Sequence, residues 1–197
     1  MPPTDIAILA KAPVPGFAKT RLIPAIGAHA AAVLQERLTE RAVTTARSAA
    51  LGELTLWCAP DTRHRSFRDL DVTLRQQPDG DLGARMLAAF GARPTLVIGT
   101  DCPALTAAHL RDAADALATH DVVLIAAEDG GYVLIGARAP HPELFVEMTW
   151  SVPSVLAETR ARIAALGLTS RELPPLWDVD TEDDLARMER EFPELAL

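Results

Sequence analysis

Leu96-Val97-Ile98-Gly99-Thr100-Asp101-Cys102-Pro103 (L-V-I-G-T-D-C-P) is the stretch whose reading decides the fold. Four apolar or small residues, Leu96 to Gly99, make a strand that can be buried on both faces, as strands of parallel α/β sheets are. The run stops at Gly99 and a single carboxylate, Asp101, stands just past its end. In open α/β sheets ligands bind beyond the carboxyl ends of the strands, so an acid there is aimed at a substrate or a metal. Asp and Pro are also ordinary turn residues, and a turn-building role for Asp101 stays open. Thr106 is the better cap for the helix that follows.

Upstream of this strand, Asp5–Ala10 (D-I-A-I-L-A) reads as a first buried strand, Leu54–Ala59 as a second and Val72–Arg75 as a short third. Between them lie a helix from Ala28 to about Ala50, with Ala30, Leu34, Leu38, Ala42, Ala46 and Ala49 on one face, and a short helix around Thr62–Phe67. Gly80-Asp81-Leu82-Gly83-Ala84-Arg85 opens a further helix through about Phe90. Such alternation implies parallel strands with right-handed crossovers. Downstream, Thr106 caps a helix carrying Leu110, Ala113, Ala114 and Leu117, and Asp121–Ala127 is the next strand. Glu128-Asp129-Gly130-Gly131 then leads at once into Tyr132–Ala137. A parallel crossover needs about a dozen residues, so this strand runs against an adjacent one or leaves that part of the sheet. A helix over Ser151–Leu166 with Ser151 as its cap, an edge strand over Leu168–Leu173 and a charged helix capped by Thr181 complete the chain. The expectation is a three-layer α/β/α, Rossmann-like fold. Its sheet is mixed but mostly parallel with one antiparallel strand, and residues 1–197 form a single domain.

Lys plus Arg number 19 and Asp plus Glu 27 among the 197 residues, a net charge of -8, so the chain repels nucleic acid and anionic membrane surfaces. A phosphate site must then be a local cluster. Cys58 and Cys102 sit in separate segments without metal-ligand spacing, and a reducing cytoplasm is the default. The start, Met1-Pro2-Pro3-Thr4-Asp5, lacks a basic region followed by an apolar one, and the longest strongly apolar run, Val122–Ala127, is too short for a bilayer. Cytoplasmic location without membrane insertion is expected, and a homodimer is left open. His29, His64, His109, His120 and His141 are scattered without metal-ligand spacing.

Chemistry concentrates in three places. The loop Lys11–Leu22 (K-A-P-V-P-G-F-A-K-T-R-L) gathers Lys11, Lys19 and Arg21 among Pro13, Pro15 and Gly16, a plausible cradle for phosphate oxygens and equally a solvated basic loop. It is no Walker A loop, since the glycine immediately before the lysine is missing. No G-x-G-x-x-G or G-x-S-x-G occurs either. In Trp177-Asp178-Val179-Asp180-Thr181 the alternation of an extended chain puts Asp178 and Asp180 on one side, although acids there also complement a helix N-terminus. Asp101 and Asp180 brought together would repel unless a cation lay between them, and such oxygen ligands suit Mg²⁺ or Mn²⁺ with phosphates completing the shell. Asp129-Gly130-Gly131-Tyr132 reads as a tight hairpin or as backbone against which an acceptor lies. Trp150 and Ser151 could add a stacking face and helix amides to it.

Taken in order, K-A-P-V-P-G-F-A-K-T-R-L, G-D-L-G-A-R-M, G-T-D-C-P-A-L, D-G-G-Y-V-L-I-G, W-S-V-P-S-V and W-D-V-D-T-E-D-D-L resemble a bacterial glycosyltransferase-like family with the glycosyltransferase A, or nucleotide-diphospho-sugar transferase, fold. Some of its members are assigned to arsenosugar biosynthesis. The chain is also similar to phospholactate guanylyltransferases and, more remotely, to molybdenum-cofactor guanylyltransferases. The resemblance covers nearly the whole chain. It implies that Lys11, Lys19 and Arg21 hold nucleotide phosphates, with Ala10, Gly16 and Thr100 beside the nucleotide and Gly83 against the base. Asp101 and Asp180 would hold Mg²⁺ or Mn²⁺. Gly130, Gly131, Tyr132, Trp150 and Ser151 would line the acceptor pocket, and Asp101, Lys19 and Asp129 would serve catalysis. Lys11-Ala12-Pro13 replaces the glycine pair common in nucleotidyltransferases of this fold, and Glu182 stands where a proline usually follows D-x-D-T. The expected activity is a metal-dependent glycosyltransferase-like reaction from a nucleotide sugar to a small-molecule acceptor. Two alternatives stay open: transfer of a nucleotidyl group from a triphosphate to a small phosphorylated acceptor with release of pyrophosphate, and a non-catalytic nucleotide-binding module.

Overall fold

Seven strands hydrogen-bond into one sheet in the computed structural model, which describes residues 3–197; Met1 and Pro2, where the stretch read for a targeting signal begins, lie outside it. The strands are β1 (Asp5–Lys11), β2 (Leu54–Ala59), β3 (Thr73–Gln76), β4 (Thr95–Ile98), β5 (Val122–Ala127), β6 (Tyr132–Ala137) and β7 (Ser170–Leu176). Their order is β3-β2-β1-β4-β6-β5-β7. All pairings are parallel except those of β6, which runs against both β4 and β5, as the short turn before it requires. This is the mixed, mostly parallel α/β sheet expected.

The helices are α1 (Ile23–Ala49), α2 (Arg65–Arg68), α3 (Leu82–Leu87), α4 (Ala107–Ala116), α5 (Val155–Ala165) and α6 (Glu182–Glu191). Alternate residues of each strand face opposite layers. Ile6, Ile8, Leu96 and Ile98 pack with Val43 and Ala46 of α1 and Leu110 and Ala113 of α4. Ala7 and Val97 face the other way, against Met86 of α3, Phe145, and Leu156 and Ile163 of α5. Each fully buried Leu, Ile or Phe contributes about 1.5–3 kcal/mol over leaving it exposed. A third cluster ties Leu34 and Leu38 of α1 to Trp177, Val179, Leu185 and Met188, and so clamps α6 and the acids before it to the first helix.

Several boundaries depart from the sequence reading. The uninterrupted helix does begin at Ala28, because Gly27 (φ 80°, ψ 159°) breaks α1 there, but a turn from Ile23 is fused in front of it. α3 stops at Leu87, leaving Phe90 to pack on Phe145 at 5.5 Å between ring centres. α5 starts at Val155: Ser151 holds φ 62°, which an α-helix cannot contain, so it caps nothing. β7 runs on through Pro174 and Pro175 to Leu176. Its register against β5 slips there, from Ile125↔Leu173 to Ala127↔Leu176, an irregularity of the kind that lets prolines sit in an edge strand. Thr106 and Thr181 cap α4 and α6 as expected, each in a reciprocal capping box, with His109 and Asp184 respectively. Among the described residues no helix is long and apolar enough to cross a membrane.

Candidate active site

The chain leaves β1 at Lys11, β4 at Gly99 and β5 at Glu128 on the same edge of the sheet, and the antiparallel β6 starts there at Tyr132. Two acidic segments are joined at this edge by a backbone bond, Val179 N–H donating to the Asp101 carbonyl at 2.9 Å. The loop after β1 delivers the cation between them. Ala18 is fully buried and Lys19 takes a left-handed conformation (φ 48°), which turns its side chain inward. The Lys19 ammonium donates to Val179 O at 2.7 Å and stands 2.6 Å from Asp101 Oδ1 and 3.9 Å from Asp180 Oδ1. Its side chain is 4% exposed, against 44% for Asp101 and 35% for Asp180. Arg21, exposed, reaches Asp180 Oδ2 at 2.9 Å. The cation that two facing carboxylates require is thus Lys19 itself, and Lys19 and Arg21, expected on phosphates, are engaged here by acids.

Asp178 is the acid that the reading of the sequence left without a role. Burial, and then the Asp101 carboxylate, push its pKa from 3.8 up to about 7, with Lys19 pulling the other way and Asp180 and Asp129 adding to the rise. Three other carboxylates therefore act on Asp178 at this edge. The nearby Cys102 thiol is pushed up to about 12, first by burial and then by Asp178, which leaves it a protonated, unreactive group at neutral pH. Two residues expected at the nucleotide have their polar atoms committed elsewhere. The Ala10 carbonyl accepts from Gln77 Nε2 at 3.1 Å, and the buried Thr100 hydroxyl lies between Gln35 and Asp101. Lys11 and Gly16 are exposed, and at Gly16 (φ 85°) nothing lies within 4 Å of where a side chain would begin.

A second group forms where α3 meets the segment before α5. A Cβ on Gly83 would come within 2.5 Å of Phe145 O and 2.8 Å of Trp150 Cζ2, so the absence of a side chain there is filled by the Trp150 indole. The Trp150 indole N–H is buried without a hydrogen-bond partner among the described residues. The surface expected to receive a nucleobase is therefore covered by protein in this structure. Gly130 (φ 92°) is bound by its backbone shape and by Pro153, whose carbonyl would lie 2.2 Å from an added Cβ. The Tyr132 hydroxyl lies 3.9 Å from the Met86 sulfur, and burial pushes its pKa well above the usual tyrosine range, with a Thr159 hydrogen bond opposing. It packs inward, which is not how an acceptor ligand would be held. Asp129 and Ser151 are exposed; Asp129 Oδ1 accepts from Gly131 N–H at 2.9 Å, the hairpin turn that the sequence allowed.

The chemistry of the donors fits a divalent cation. Asp101 and Asp180 are partly exposed hard oxygens on adjoining segments. Among the described residues no three His, Cys, Asp or Glu side chains stand close enough to enclose an ion, so two carboxylates completed by phosphate oxygens and waters is the arrangement this edge offers.

Residues 42–152 match the profile of DUF2064, described as "Uncharacterized protein conserved in bacteria". The chain belongs to this family. The matched part of this DUF2064 chain contains Gly83, Asp101, Asp129 and Trp150, whereas Lys19, Arg21, Asp178 and Asp180 lie outside it. No curated protein matches it in sequence. Among solved structures it is similar to one from Desulfovibrio desulfuricans G20, provisionally assigned as a nucleotide-diphospho-sugar transferase. The two are 27% identical with a TM-score of 0.88, over 97% of this chain and 88% of that one. A nucleotidyl transferase from Methanothermobacter thermautotroptrophicus shares the fold at 16% identity and TM-score 0.67, over 97% and 98% of the two chains. So does a CMP:2-keto-3-deoxy-manno-octonic acid synthetase complexed with CTP, at 12% identity and TM-score 0.61, over 97% and 99%. The fold of this DUF2064 chain is that of the nucleotide-diphospho-sugar transferases.

Proposed function

We propose that this protein is a transferase whose donor is a nucleotide sugar and whose acceptor is a small molecule, working beside Mg²⁺ or Mn²⁺ held by Asp101 and Asp180. The observation that carries the reading is the convergence of Asp101, Asp180 and the buried Lys19 at the carboxyl edge of the sheet. The 27% identical relative supports the class of donor.

Lys19 holds the two carboxylates in place and offsets their negative charge, which lowers the repulsion a diphosphate would meet at this edge. Arg21, exposed at the rim, turns from Asp180 to a phosphate oxygen. A bound divalent ion supplies further positive charge to the diphosphate. In the transfer an acceptor oxygen bonds to the anomeric carbon, the carbon–oxygen bond to the diphosphate breaks, and the nucleoside diphosphate leaves with that electron pair. The acceptor hydroxyl proton goes to an exposed carboxylate, for which Asp129 is placed at the same edge.

The test is thermal stability against a panel of nucleotide sugars and nucleoside triphosphates, each with and without Mg²⁺ or Mn²⁺. A ligand at 100 times its dissociation constant stabilises the fold by about 2.7 kcal/mol. Metal-dependent shifts with nucleotide sugars are expected. Shifts with triphosphates alone move the assignment to nucleotidyl transfer, binding without product release leaves a binding module, and silence across the panel removes the nucleotide reading.

A further inference from the structure

A chain of hydrogen bonds runs from the middle of α1 to the Asp101 carboxylate. The Thr39 hydroxyl donates its single proton to the Gln35 carbonyl at 2.7 Å, so toward Gln35 Nε2, at 3.2 Å, its oxygen is an acceptor. The other Nε2 hydrogen of Gln35 goes to Thr100 Oγ1 at 3.0 Å. With that oxygen accepting, the one proton of Thr100 is directed to Asp101 Oδ1 at 3.3 Å, the same oxygen that Lys19 approaches to 2.6 Å. Turning the Gln35 amide over would set its oxygen against the Thr39 oxygen, whose proton is already used, so the donor sequence Gln35 to Thr100 to Asp101 is the one in which each of these protons has an acceptor.

Gln35, Thr39 and Thr100 are 3%, 3% and 5% exposed. Apolar residues at these positions would pack α1 on the sheet without any polar desolvation. What the buried chain adds is a hydroxyl whose proton has one direction left, a second partner beside Lys19 for the same oxygen of a carboxylate that is itself nearly half exposed.

We propose that Gln35 is a positioning residue for Asp101: acting through Thr100, it fixes the orientation in which the carboxylate meets Lys19 and, on the reading above on which this rests, the divalent ion. Partners that orient a ligating group from behind are worth 10–100-fold in metal affinity, and about 10-fold is expected here.

Two measurements decide it. Mn²⁺ alone is titrated into the wild-type chain and followed by the paramagnetic resonance of the free ion. Gln35→Met and Thr100→Val weaken binding about 10-fold, Thr100→Ser restores it by returning the hydroxyl, and Asp101→Asn removes it. Independently of metal, the Gln35 side-chain amide resonances shift in Thr100→Val and in Asp101→Asn, because both alter the acceptor end of the chain. Amide resonances indifferent to Asp101→Asn overturn the hydrogen-bond chain. Wild-type Mn²⁺ affinity in Gln35→Met, alongside loss in Asp101→Asn, overturns the positioning role alone. No Mn²⁺ binding by the wild type, or binding unchanged in Asp101→Asn, overturns the metal reading instead.

Discussion

Lys19 concentrates the electrostatics of the site in one removable group. Lys19→Met deletes a 4%-exposed ammonium and leaves Asp101, Asp178 and Asp180 facing one another. The expected loss is about 1–3 kcal/mol in thermal or denaturant unfolding, less than for a fully buried pair because Asp101 is well solvated. Added Mg²⁺ should recover more stability in this variant than in the wild type, since it alone then separates the acids; equal Mg²⁺ response in both proteins would speak against ion binding there. Gly83→Ala drives a methyl into Phe145 O and the Trp150 ring. It is expected to cost about 1–3 kcal/mol and to change the Trp150 contribution to fluorescence, because the indole must leave its apolar seat. At this scale the sequence was only partly informative. Asp101 and Asp180 were readable as acids that meet around a cation, but not that Lys19 stands between them. Gln35 falls on the buried side of an amphipathic helix with nothing in its neighbours to mark it, since its partner, Thr100, is brought to it only by the crossover. Alternation placed Asp178 and Asp180 together but could not say that Asp178 is the one whose pKa is raised.

Elements obeyed the sequence where local chemistry decides and escaped it where tertiary contacts do. The threonine caps were legible because hydroxyl-to-amide bonds at a helix start need no distant partner; Thr106→Ala or Thr181→Ala should each cost about 1 kcal/mol by thermal unfolding. The start of α5 was not legible, because docking of Gly130 on Pro153 holds the chain out of helix as far as Ser154. β7 is tied down by two carboxylates, Asp121 just before its pairing with β5 begins and Glu172 within it. Asp121 accepts from the Thr169 hydroxyl and amide at 2.7 and 2.9 Å, and these bonds hold its pKa below 3.8. Glu172 is lowered by its bond from Arg160. A depressed folded value means that the stabilisation is fully present above the unfolded value and is lost as pH falls through the folded one. Melting temperature should therefore drop as pH is taken below about 4, and the drop should be shallower in Asp121→Asn, which starts lower at neutral pH. Parallel curves for the two proteins would exclude this latch.

At the scale of the whole molecule the reading rested on connection lengths. The crossovers between successive strands implied parallel pairing, and the turn at residues 128–131 required a reversal or a departure from that part of the sheet; the structure takes the reversal and sets β6 between β4 and β5. What no local pattern shows is that this insertion and the return of the chain at Val179 lay the acids of distant segments on one edge.

The paired prolines of β7 have a bearing on association. Their ring nitrogens carry no proton, so the lower half of that border strand, residues 174–176, offers an interrupted row of donors to any chain approaching from outside. The opposite border, β3, is four residues long. Neither margin can template a continuous intermolecular ladder, which is protection against edge-to-edge aggregation. A pair of these molecules would have to meet through helices or loops, with each sheet ending where it does in the monomer.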